Sequence, residues 1–358
     1  MDKTTFNFIS QLLDESELLK PATNINILKE SFNFSNETLL ITGAAGSVGS
    51  GITKQLRHSN FKKLILIDNA ESPLYYLINE LKLKNISNIE FYLTDVRDES
   101  SMQYLFETFK PTIIFHTAAY KHVPLMEAHP YEAIKLNVLA TKSLAHFAIK
   151  NNAKKFIFIS TDKAVNPIGV MGMTKYFAEC YLKSLGTQNH TSFIITRFGN
   201  IFGSNGSVVP LFIKHITSET PLTITNKNIT RYFITKSKAC HLILQIASFN
   251  TLNNCVLTFN MGHPIKIIDL AEVLIFKLTK NEKNKILIKT SELRPGEKLH
   301  EETLSNNETL LKTTIHKDIF LVVDKPNVLR KTIDIDVLKN IQPYQSPAEI
   351  KLILKSLI

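Results

Sequence analysis

A glycine-rich turn between an apolar strand and a helix constrains the fold more than any other feature of this sequence. Residues 38–42 predict a short buried strand, and residues 47–58 predict the helix that follows it. The intervening glycines let the backbone turn tightly, approach a pyrophosphate and point amide groups of the helix N-terminus at its negative charge. The predicted cofactor contacts in this turn are Gly43, Gly46, Ser47, Val48 and Gly49.

An acidic residue at the end of the next strand indicates which dinucleotide binds. Residues 63–67 predict that strand, and Asp68 follows Gly49 by 19 positions. A carboxylate at this place accepts hydrogen bonds from the adenosine ribose hydroxyls. Its charge would repel the additional phosphate of NADP, so we expect NAD as the cofactor. The alternative is a glycine-rich turn that binds no ligand, and the combination of strand, helix and acid disfavours it.

Strand-like and helix-like segments alternate along the chain, which is typical of an α/β fold with a doubly wound parallel sheet of the Rossmann type. The predicted strands are residues 39–43, 64–68, 89–93, 112–117, 155–160, 193–197 and 256–261, and the clearest predicted helices are residues 130–151 and 171–185. We expect an N-terminal helical extension at residues 1–36, packed on the body or on a neighbouring subunit. The predicted NAD-binding domain is 37–205, to which 230–262 returns, and the smaller C-terminal substrate lobe comprises 206–229 and 263–358.

Composition and charge exclude several other classes of protein. With 358 residues and 44% hydrophobic content, the chain can bury a large core and a smaller lobe. It has no apolar run of the ~18 residues that a membrane span needs and no secretory signal, so we expect a cytoplasmic protein without an integral membrane segment. The three cysteines lack metal-ligand spacing, so no metal is expected. The net charge of +10 comes from scattered lysines, which suits anionic ligands and disfavours nucleic acid.

Residues that directly follow the strands are candidates for ligand contacts, because ligands of such sheets bind outside the carboxyl ends of the strands. Small residues after the fourth strand leave room for a cofactor, and two basic side chains follow them. Asn137 lies inside a predicted helix, where asparagine usually has a local reason, and we expect it to make a hydrogen bond near the active site. The other candidates are Asp95 and Val96 near the adenine, Ala118 and Ala119 beside the cofactor, and Lys121 and His122 toward the substrate.

The end of the fifth predicted strand combines a hydroxyl, a carboxylate and an amine in residues 160–163 (Ser-Thr-Asp-Lys). On the following helix Met171 and Lys175 are four positions apart and therefore share one face. In the short-chain dehydrogenase superfamily this pair is normally Tyr-x-x-x-Lys, in which the lysine holds the nicotinamide ribose and the tyrosine moves a proton. Met171 cannot move a proton. A decayed site would explain the methionine, but the intact group at the strand end disfavours decay.

Six motifs in order along the chain resemble the nucleotide-sugar 4,6-dehydratases of the CapD-like polysaccharide biosynthesis family, within the extended short-chain dehydrogenase superfamily. The resemblance is greatest to its retaining UDP-N-acetylglucosamine 4,6-dehydratases, in which methionine at the tyrosine position is expected. The motifs are AYKHVPLME at 119–127, STDKAVNP at 160–167, RFGN at 197–200, GSNGSVVP at 203–210, TRYF at 230–233 and LRPGEKL at 293–299.

The resemblance implies an internal redox cycle, in which NAD takes a hydride from sugar C4 and returns it to C6 after water is lost. It implies that Asp162 is the acid, Lys163 the base, Thr161 the group that orders the C4 hydroxyl, and Lys175 the group that holds the nicotinamide ribose, with Met171 beside them. It further implies a homo-oligomer and, for UDP-N-acetylglucosamine, contacts from Lys121, His122, Asn137, Asn200, Val208, Arg231, Arg294 and Glu297. Arg294 is expected to grip the diphosphate, because a guanidinium matches phosphate geometry.

Two alternatives to the dehydratase stay open at this point. One is a 4-epimerase or simple oxidoreductase acting on a similar sugar nucleotide, which Met171 disfavours because it has no proton to exchange. The other is a protein that binds a nucleotide sugar without catalysis, which the intact Asp162, Lys163 and Lys175 disfavour. Many relatives carry N-terminal membrane helices, whereas here we expect only a short extension before Leu39.

Overall fold

A nine-stranded sheet runs through the centre of the described chain. The computed structural model describes residues 1–16, 18–19, 31–82, 86–186, 190–250, 252–279, 286–326 and 333–358. The strands are β1 (Asn33–Thr42), β2 (Asn60–Asp68), β3 (Ile89–Leu93), β4 (Ile113–His116), β5 (Lys155–Thr161), β6 (Ser192–Phe198), β7 (Asn200–Phe202), β8 (Leu222–Ile224), β9 (Thr230–Arg231), β10 (Phe233–Thr235), β11 (Cys255–Phe259), β12 (Ile265–Lys266), β13 (Ile288–Thr290), β14 (Glu308–Lys312) and β15 (Ile319–Asp324).

Helices cover both faces of the sheet and build a separate smaller cluster. They are α1 (Lys3–Ser16), α2 (Ser47–Leu56), α3 (Glu71–Glu80), α4 (Glu99–Phe109), α5 (Val123–Ala128), α6 (Pro130–Ile134), α7 (Thr141–Lys150), α8 (Val170–Leu185), α9 (Val208–Thr217), α10 (Lys236–Ser248), α11 (Ile267–Leu278) and α12 (Pro347–Leu357), with a π-helical turn at Lys135–Ala140 and 3-10 turns at Asp162–Ala164 and Ile335–Asn340. None of the helices described is long and apolar enough to cross a bilayer.

The strand order confirms the predicted doubly wound sheet. Seven parallel strands lie in the order β3-β2-β1-β4-β5-β6-β11, and β15 and β14 extend the sheet antiparallel beyond β11. The chain winds one way from β1 through β3 and the other way from β4 onward. The order therefore reverses between β1 and β4, which is where a crevice forms at the carboxyl edge of such a sheet.

Continuous apolar runs in the central strands explain why the sheet is covered on both faces. All four residues of β4 are buried, and in β1 Leu39 and Ile41 pack on one face while Leu40 packs on the other. Successive side chains of a strand point to opposite faces, so a strand buried on both sides needs no polar alternation. On the first face β1 packs against α2, α3 and α10, and on the second against α4 and α7.

The predicted N-terminal extension is a helix that packs on the body. Ile9, Leu12 and Leu13 of α1 are buried in the apolar cluster of the smaller lobe, and the ring centroids of Phe6 and Phe276 are 5.6 Å apart. The apolar face of α1 is therefore buried against the smaller lobe in the described chain. The extension assigned to 1–36 is also too long, because β1 begins at Asn33 and pairs with β2 from that residue onward. Residues 20–30 lie outside the described residues.

The C-terminal third divides between the two parts of the molecule instead of forming only a substrate lobe. Strands β14 and β15 form an antiparallel hairpin that pairs with β11 and covers its edge, and an otherwise open edge would expose unpaired backbone groups. Helix α12 buries Ile350 and Leu354 against the cluster that contains α6 and α8. Residues 263–358 are predicted to belong to the substrate lobe, whereas β14 and β15 are part of the central sheet.

Candidate functional site

A cavity of about 540 Å³ lies beside the point where the strand order reverses. Its floor comes from the loops that follow β1, β4, β5 and β6, together with the start of α8. Its far wall comes from the smaller lobe, through α9, α11 and the strands β8 and β9. Ligands of doubly wound sheets bind at this position, and the cavity contains both charged and apolar side chains. The cavity is therefore the candidate active site.

The glycine turn forms the cradle that the sequence predicts. Gly43 has a φ of +65°, and a Cβ there would lie 2.7 Å from the backbone nitrogen of Ala118. A Cβ on Gly49 would lie 2.2 Å from the carbonyl oxygen of Gly43. Gly46 precedes the first turn of α2, whose backbone amides have no partner inside the helix and can bind an anion. Gly46, Ser47 and Val48 line the cavity, so the turn fits a dinucleotide pyrophosphate.

The two acidic residues predicted to contact the adenosine behave differently. Asp68 ends β2, and its carboxylate accepts hydrogen bonds from the backbone amides of Ala45 at 2.8 Å and Ala70 at 2.9 Å. These bonds hold the acid beside the glycine turn, where a ribose would lie. Asp95 instead accepts hydrogen bonds from the Arg97 guanidinium at 2.7 and 3.0 Å, and these contacts lower its pKa. The predicted cofactor residues that do not line the cavity are Gly43, Gly49, Asp68, Asp95, Val96 and Ala118, whereas Ala119 lines it.

Lys175 and Met171 lie together on α8 and face the cavity. Lys175 is only 5% exposed, its Nζ is 3.8 Å from the ring centroid of Phe158, and it makes no hydrogen bond or salt bridge with the described residues. Burial lowers its pKa to about 7, although Glu179 acts in the opposite direction. A buried amine without a partner fits the predicted contact with ribose hydroxyls. Met171 brings only an apolar surface to the same wall.

A single 3-10 turn after β5 positions the predicted acid and base. The Thr161 hydroxyl donates to Oδ1 of Asp162 at 2.9 Å, and Lys163 Nζ donates to the same oxygen at 2.9 Å and to Oδ1 of Asn200 at 3.0 Å. Thr161, Lys163 and Asn200 line the cavity. Asp162 is 1% exposed and does not line it, and its Oδ2 has no hydrogen-bond partner among the described residues. The Asp162 carboxylate therefore holds the Lys163 side chain without itself facing the cavity.

Glu301 is a site residue that the sequence predictions miss. Its side chain lines the cavity and is 3% exposed, and its Oε1 lies 3.6 Å from Lys163 Nζ and 3.9 Å from Arg231 Nε. Burial raises the pKa of Glu301, and the neighbouring Asp162 raises it further while Lys163 and Arg231 lower it. The only sequence signal is its position two residues after the LRPGEKL motif, and no spacing relates it to the distant residues that it contacts.

Seven of the eight predicted substrate residues face the cavity. The cavity is lined by Lys121, His122, Asn200, Val208, Arg231, Arg294 and Glu297. Lys121 Nζ donates to Oγ of Ser204 at 3.3 Å and to the carbonyl oxygen of Asn205 at 3.0 Å, and burial lowers its pKa. Burial also lowers the pKa of His122. Arg231 Nη2 is 3.2 Å from Glu297 Oε1, while the Arg294 side chain is 58% exposed at the mouth.

Asn137 is not at the cavity and has a structural position instead. It lies 1% exposed in the π-helical turn between α6 and α7. Its Oδ1 accepts from the backbone amide of Tyr120 at 2.9 Å, and its Nδ2 donates to the Tyr120 carbonyl at 3.0 Å and to the Thr174 hydroxyl at 3.1 Å. These bonds satisfy the backbone of the loop after β4, so Asn137 fixes the loop that carries Lys121. The π turn also interrupts the helix predicted at 130–151.

Cationic groups outnumber acids in the lining of the cavity. Its cations are Lys121, Lys163, Lys175, Arg231 and Arg294, and its acids are Glu297 and Glu301. Guanidinium and ammonium groups gathered in a cleft attract an anionic ligand and can bind phosphate oxygens directly. The cavity thus combines a turn that fits a pyrophosphate with cations suited to a diphosphate, and with the amine of Lys163, the hydroxyl of Thr161 and the acid of Glu301.

Curated relatives resemble the chain over most of its length. It is 42% identical over 305 residues to the capsular polysaccharide biosynthesis protein CapD of Staphylococcus aureus, an alignment that covers 84% of this chain and 51% of CapD. It is 33% identical over 284 residues to the UDP-glucose 4-epimerase of Rickettsia bellii, covering 77% of this chain and 80% of that enzyme. The chain thus spans about half the length of CapD.

A solved structure and a family model agree with the fold. The X-ray structure of Pen from Bacillus thuringiensis superposes with a TM-score of 0.75 at 28% identity, covering 90% of this chain and 98% of Pen. The family model described as polysaccharide biosynthesis protein matches residues 39–324, which include the glycine turn, the turn after β5 and Glu301. The chain therefore belongs to the polysaccharide biosynthesis protein family.

Proposed function

We propose that the protein is a 4,6-dehydratase that converts UDP-N-acetylglucosamine to a 4-keto-6-deoxy sugar nucleotide with retention at C5. The product would serve the synthesis of a surface polysaccharide or glycan. The observation that carries the proposal is the grouping of Lys163, Thr161 and Met171 in one cavity beside a dinucleotide cradle. This grouping offers a base for carbon chemistry and lacks the tyrosine that ordinary alcohol oxidation uses.

The cofactor end of the cavity fits NAD by the groups that it presents. The first turn of α2 would hold the pyrophosphate, Asp68 the adenosine ribose and Lys175 the nicotinamide ribose. When bound, NAD would accept a hydride from sugar C4 and return it to C6, so the reaction consumes no external reductant. The carboxylate of Asp68 favours NAD over NADP because it would repel a phosphate on the ribose.

The chemistry on the sugar carbons falls to the residues after β5. A ketone at C4 makes the C5 proton acidic enough for a general base to remove. Lys163 is the proposed base, because its Nζ reaches the cavity and is held at 2.9 Å from Asp162 and 3.0 Å from Asn200. The Thr161 hydroxyl lines the same wall and would order the C4 hydroxyl. Met171 beside them provides an apolar surface that moves no proton.

The cationic end of the cavity is the proposed diphosphate site. Arg294 is exposed at the mouth with its Nε 3.7 Å from Glu297 Oε2 and would turn toward phosphate oxygens, and Arg231 is held in the wall by Glu297. Lys121 also lines the cavity, with its amine bonded to Ser204 and Asn205. A nucleoside diphosphate sugar would thus extend from this end toward Lys163. The homo-oligomer and the cytoplasmic location stay predictions.

A 4-epimerase acting on a UDP-sugar is the second candidate function. The 33% identity to the UDP-glucose 4-epimerase of Rickettsia bellii favours it. An epimerase oxidises C4 and reduces the same carbon, and it needs no base for C5. Lys163 in the cavity and Met171 at the tyrosine position therefore favour the dehydratase.

The deciding experiment is NMR of the purified protein with UDP-N-acetylglucosamine in deuterated water, without added reductant. A 4-keto-6-deoxy product that has deuterium at C5 and the C5 configuration of the substrate is the expected result. An inverted C5 would contradict the retaining reaction, and a C4 epimer would identify the second candidate. Unchanged substrate in the presence of bound NAD would contradict both for this sugar nucleotide.

A further inference from the structure

We infer that Glu127 is a positioning residue that sets the spacing between the turn that carries Arg294 and the start of helix α8, and that Lys351 holds it in place. The inference rests on the proposed function, because it concerns the site that would bind the diphosphate of the substrate. Neither Glu127 nor Lys351 lines the cavity, so neither side chain would touch the substrate directly. The observation behind the inference is a tight contact between Glu127, Gly169 and Gly296.

Glu127 supplies an acceptor for the first turn of α8. The helix begins after Gly169, which has no side chain with which to cap it. The Glu127 Oε1 accepts a hydrogen bond from the backbone amide of Val170 at 2.7 Å. A carboxylate at this end of a helix also interacts favourably with the helix dipole, and its hydrogen bond is charge-assisted. Glu127 therefore fixes the end of the helix from which Met171 faces the cavity.

The same carboxylate packs against the turn of the LRPGEKL motif. In this turn the amide of Glu297 donates to the carbonyl oxygen of Arg294 at 3.0 Å, and Gly296 has a φ of +76°. A proline followed by a glycine favours such a turn. A Cβ on Gly296 would lie 2.8 Å from the Cδ of Glu127. The Glu127 carboxylate thus fills the space that a side chain on Gly296 would need.

The turn and the start of α8 also contact each other through two glycines. A Cβ on Gly169 would lie 2.7 Å from the carbonyl oxygen of Gly296 and 3.0 Å from Glu127 Oε1. The two backbones therefore approach more closely than side chains would allow. Because Arg294 begins the turn and Met171 lies in the first turn of α8, this contact sets the distance between the guanidinium at the mouth and the reacting wall. A substrate held by its diphosphate would meet the reacting groups only if that distance is correct.

Lys351 of α12 holds the Glu127 side chain in this position. Its Nζ forms an ion pair with Glu127 Oε2, so both carboxylate oxygens have a partner. The pair is partly shielded from solvent, since the Glu127 side chain is 10% exposed and that of Lys351 is 24% exposed. Ile350, the residue before Lys351, packs in the same apolar cluster as Met171. Helix α12, which none of the six motifs reaches, is thereby connected to the turn of Arg294.

Calorimetric titration of the whole chain with UDP tests the positioning role. Glu127→Ala removes the spacer, so we expect the affinity for UDP to fall by about 10-fold and the KM for UDP-N-acetylglucosamine to rise with it. Glu127→Gln keeps the size of the side chain and an acceptor for the Val170 amide but loses the ion pair, so its loss should be only about threefold. Lys351→Met removes the same ion pair and should match Glu127→Gln. Circular dichroism verifies that each variant is folded.

Two further variants show whether the effect passes through the turn. Lys142→Met is the matched control, because it removes a different ion pair of the C-terminal segment, with Asp336, and should leave the affinity for UDP within about twofold of the wild type. In an Arg294→Gln background, Glu127→Ala should weaken UDP binding by less than about twofold, because the side chain that Glu127 positions is already absent.

The inference is overturned if Glu127→Ala binds UDP within about twofold of the wild type, or if its loss is equally large in the Arg294→Gln background. A fall in kcat with unchanged KM and unchanged UDP affinity would likewise show a merely structural role. These results leave the proposed function intact when the wild type makes the 4-keto-6-deoxy sugar. A wild type that makes no such product, while the variants lose UDP affinity as expected, would support the positioning role and refute the dehydratase.

Discussion

At the scale of single residues, the amine of Lys175 is buried in the cavity wall at an electrostatic cost. It is 5% exposed and makes no hydrogen bond or salt bridge with the described residues. Burial lowers its pKa from the ordinary 10.5 to about 7, with Glu179 opposing the change. Above about pH 7 the folded protein therefore holds Lys175 mainly as the neutral amine, whereas the unfolded chain keeps the ammonium up to about pH 10.5. The position is retained at a cost in stability, as binding sites often are.

Replacing Lys175 with methionine should stabilise the protein, and the gain should depend on pH. Below about pH 7 both states carry the ammonium, and the folded state bears the full cost of burying it. That cost decreases as the pH rises from about 7 toward 10.5, because only the unfolded chain is then protonated. We expect Lys175→Met to unfold at a higher urea concentration than the wild type. The difference between the two urea midpoints should be larger near pH 6 than near pH 9. A pH-independent difference would contradict the shifted pKa.

Gly43 is the residue of the turn that tolerates a side chain least. Its φ of +65° is unfavourable for a residue with a Cβ. A Cβ at this position would also lie only 2.7 Å from the backbone of Ala118. Gly43→Ala should destabilise the protein by roughly 1–3 kcal/mol and abolish NAD binding, as measured by unfolding and calorimetry. Gly46→Ala is the milder comparison, because its Cβ would lie 3.1 Å from one carbonyl oxygen at an ordinary φ. Equal losses for both variants would argue against the steric explanation.

At the scale of secondary structure, a buried ion cluster joins β6, α8 and β14. Arg197 of β6 donates to Glu179 of α8 at 2.6 and 2.9 Å and to Glu308 of β14 at 2.9 Å, and the Ser160 hydroxyl also donates to Glu179. Arg197 is 4% exposed and Glu179 is fully buried. Burial raises the pKa of Glu179, but Arg197 more than offsets it and the net direction is downward. The cluster therefore ties the C-terminal hairpin to the sheet.

Replacing Arg197 should take away the cation that the buried carboxylates of Glu179 and Glu308 share. We expect Arg197→Met to lower the free energy of unfolding by about 3–5 kcal/mol, as found when one member of a buried pair is deleted. Lys150→Met is the control, since its pair with Glu107 is largely exposed and such pairs contribute about 0–1 kcal/mol. Denaturant unfolding measures both. A loss as small as that of the control would show that the cluster adds little stability.

The sequence does not decide whether helix α1 packs on the body of its own chain or on a neighbouring subunit. Leu13 is 1% exposed in the smaller lobe, beside Ile9 and the residues of α11. Leu13→Ala should lower the free energy of unfolding by about 2–5 kcal/mol, because it leaves a cavity in a packed cluster. Leu19→Ala, at a position that is 38% exposed, should change it far less. If the loss at Leu13 depended on protein concentration, the helix would pack on a second subunit instead.

At the scale of the whole molecule, the net charge of +10 acts together with the cations that line the cavity. We expect the affinity for UDP to fall several-fold when the ionic strength is raised from about 0.05 M to 0.5 M, because salt screens the attraction. Arg294→Gln should weaken binding and reduce this salt dependence, since its side chain is 58% exposed at the mouth. Titration calorimetry measures both effects. A salt-independent affinity would contradict an electrostatic diphosphate site.

The sequence predicts those parts of the molecule whose signals are local. The apolar runs and the glycine turn predict the parallel strands and the dinucleotide cradle, and the fold confirms the doubly wound sheet. The hairpin of β14 and β15 escapes prediction, because pairing with β11 is decided by which edge is left open and not by its own residues. Glu301 escapes for a similar reason, since Lys163 and Arg231 reach it only through folding. Asn137 is predicted as a substrate contact because it is a polar residue within a helix, but it binds the backbone of the loop after β4 instead.

One stretch of chain, residues 291–305, leaves the smaller lobe after β13 and enters the sheet at β14. It carries Arg294 at the mouth and Glu301 in the wall, a short distance apart along the backbone. Lys298, between them, donates to the carbonyl oxygen of Val165 and anchors the stretch beside the turn after β5. A shift of Arg294 at the mouth would therefore act on Glu301 in the wall through one short, anchored backbone segment.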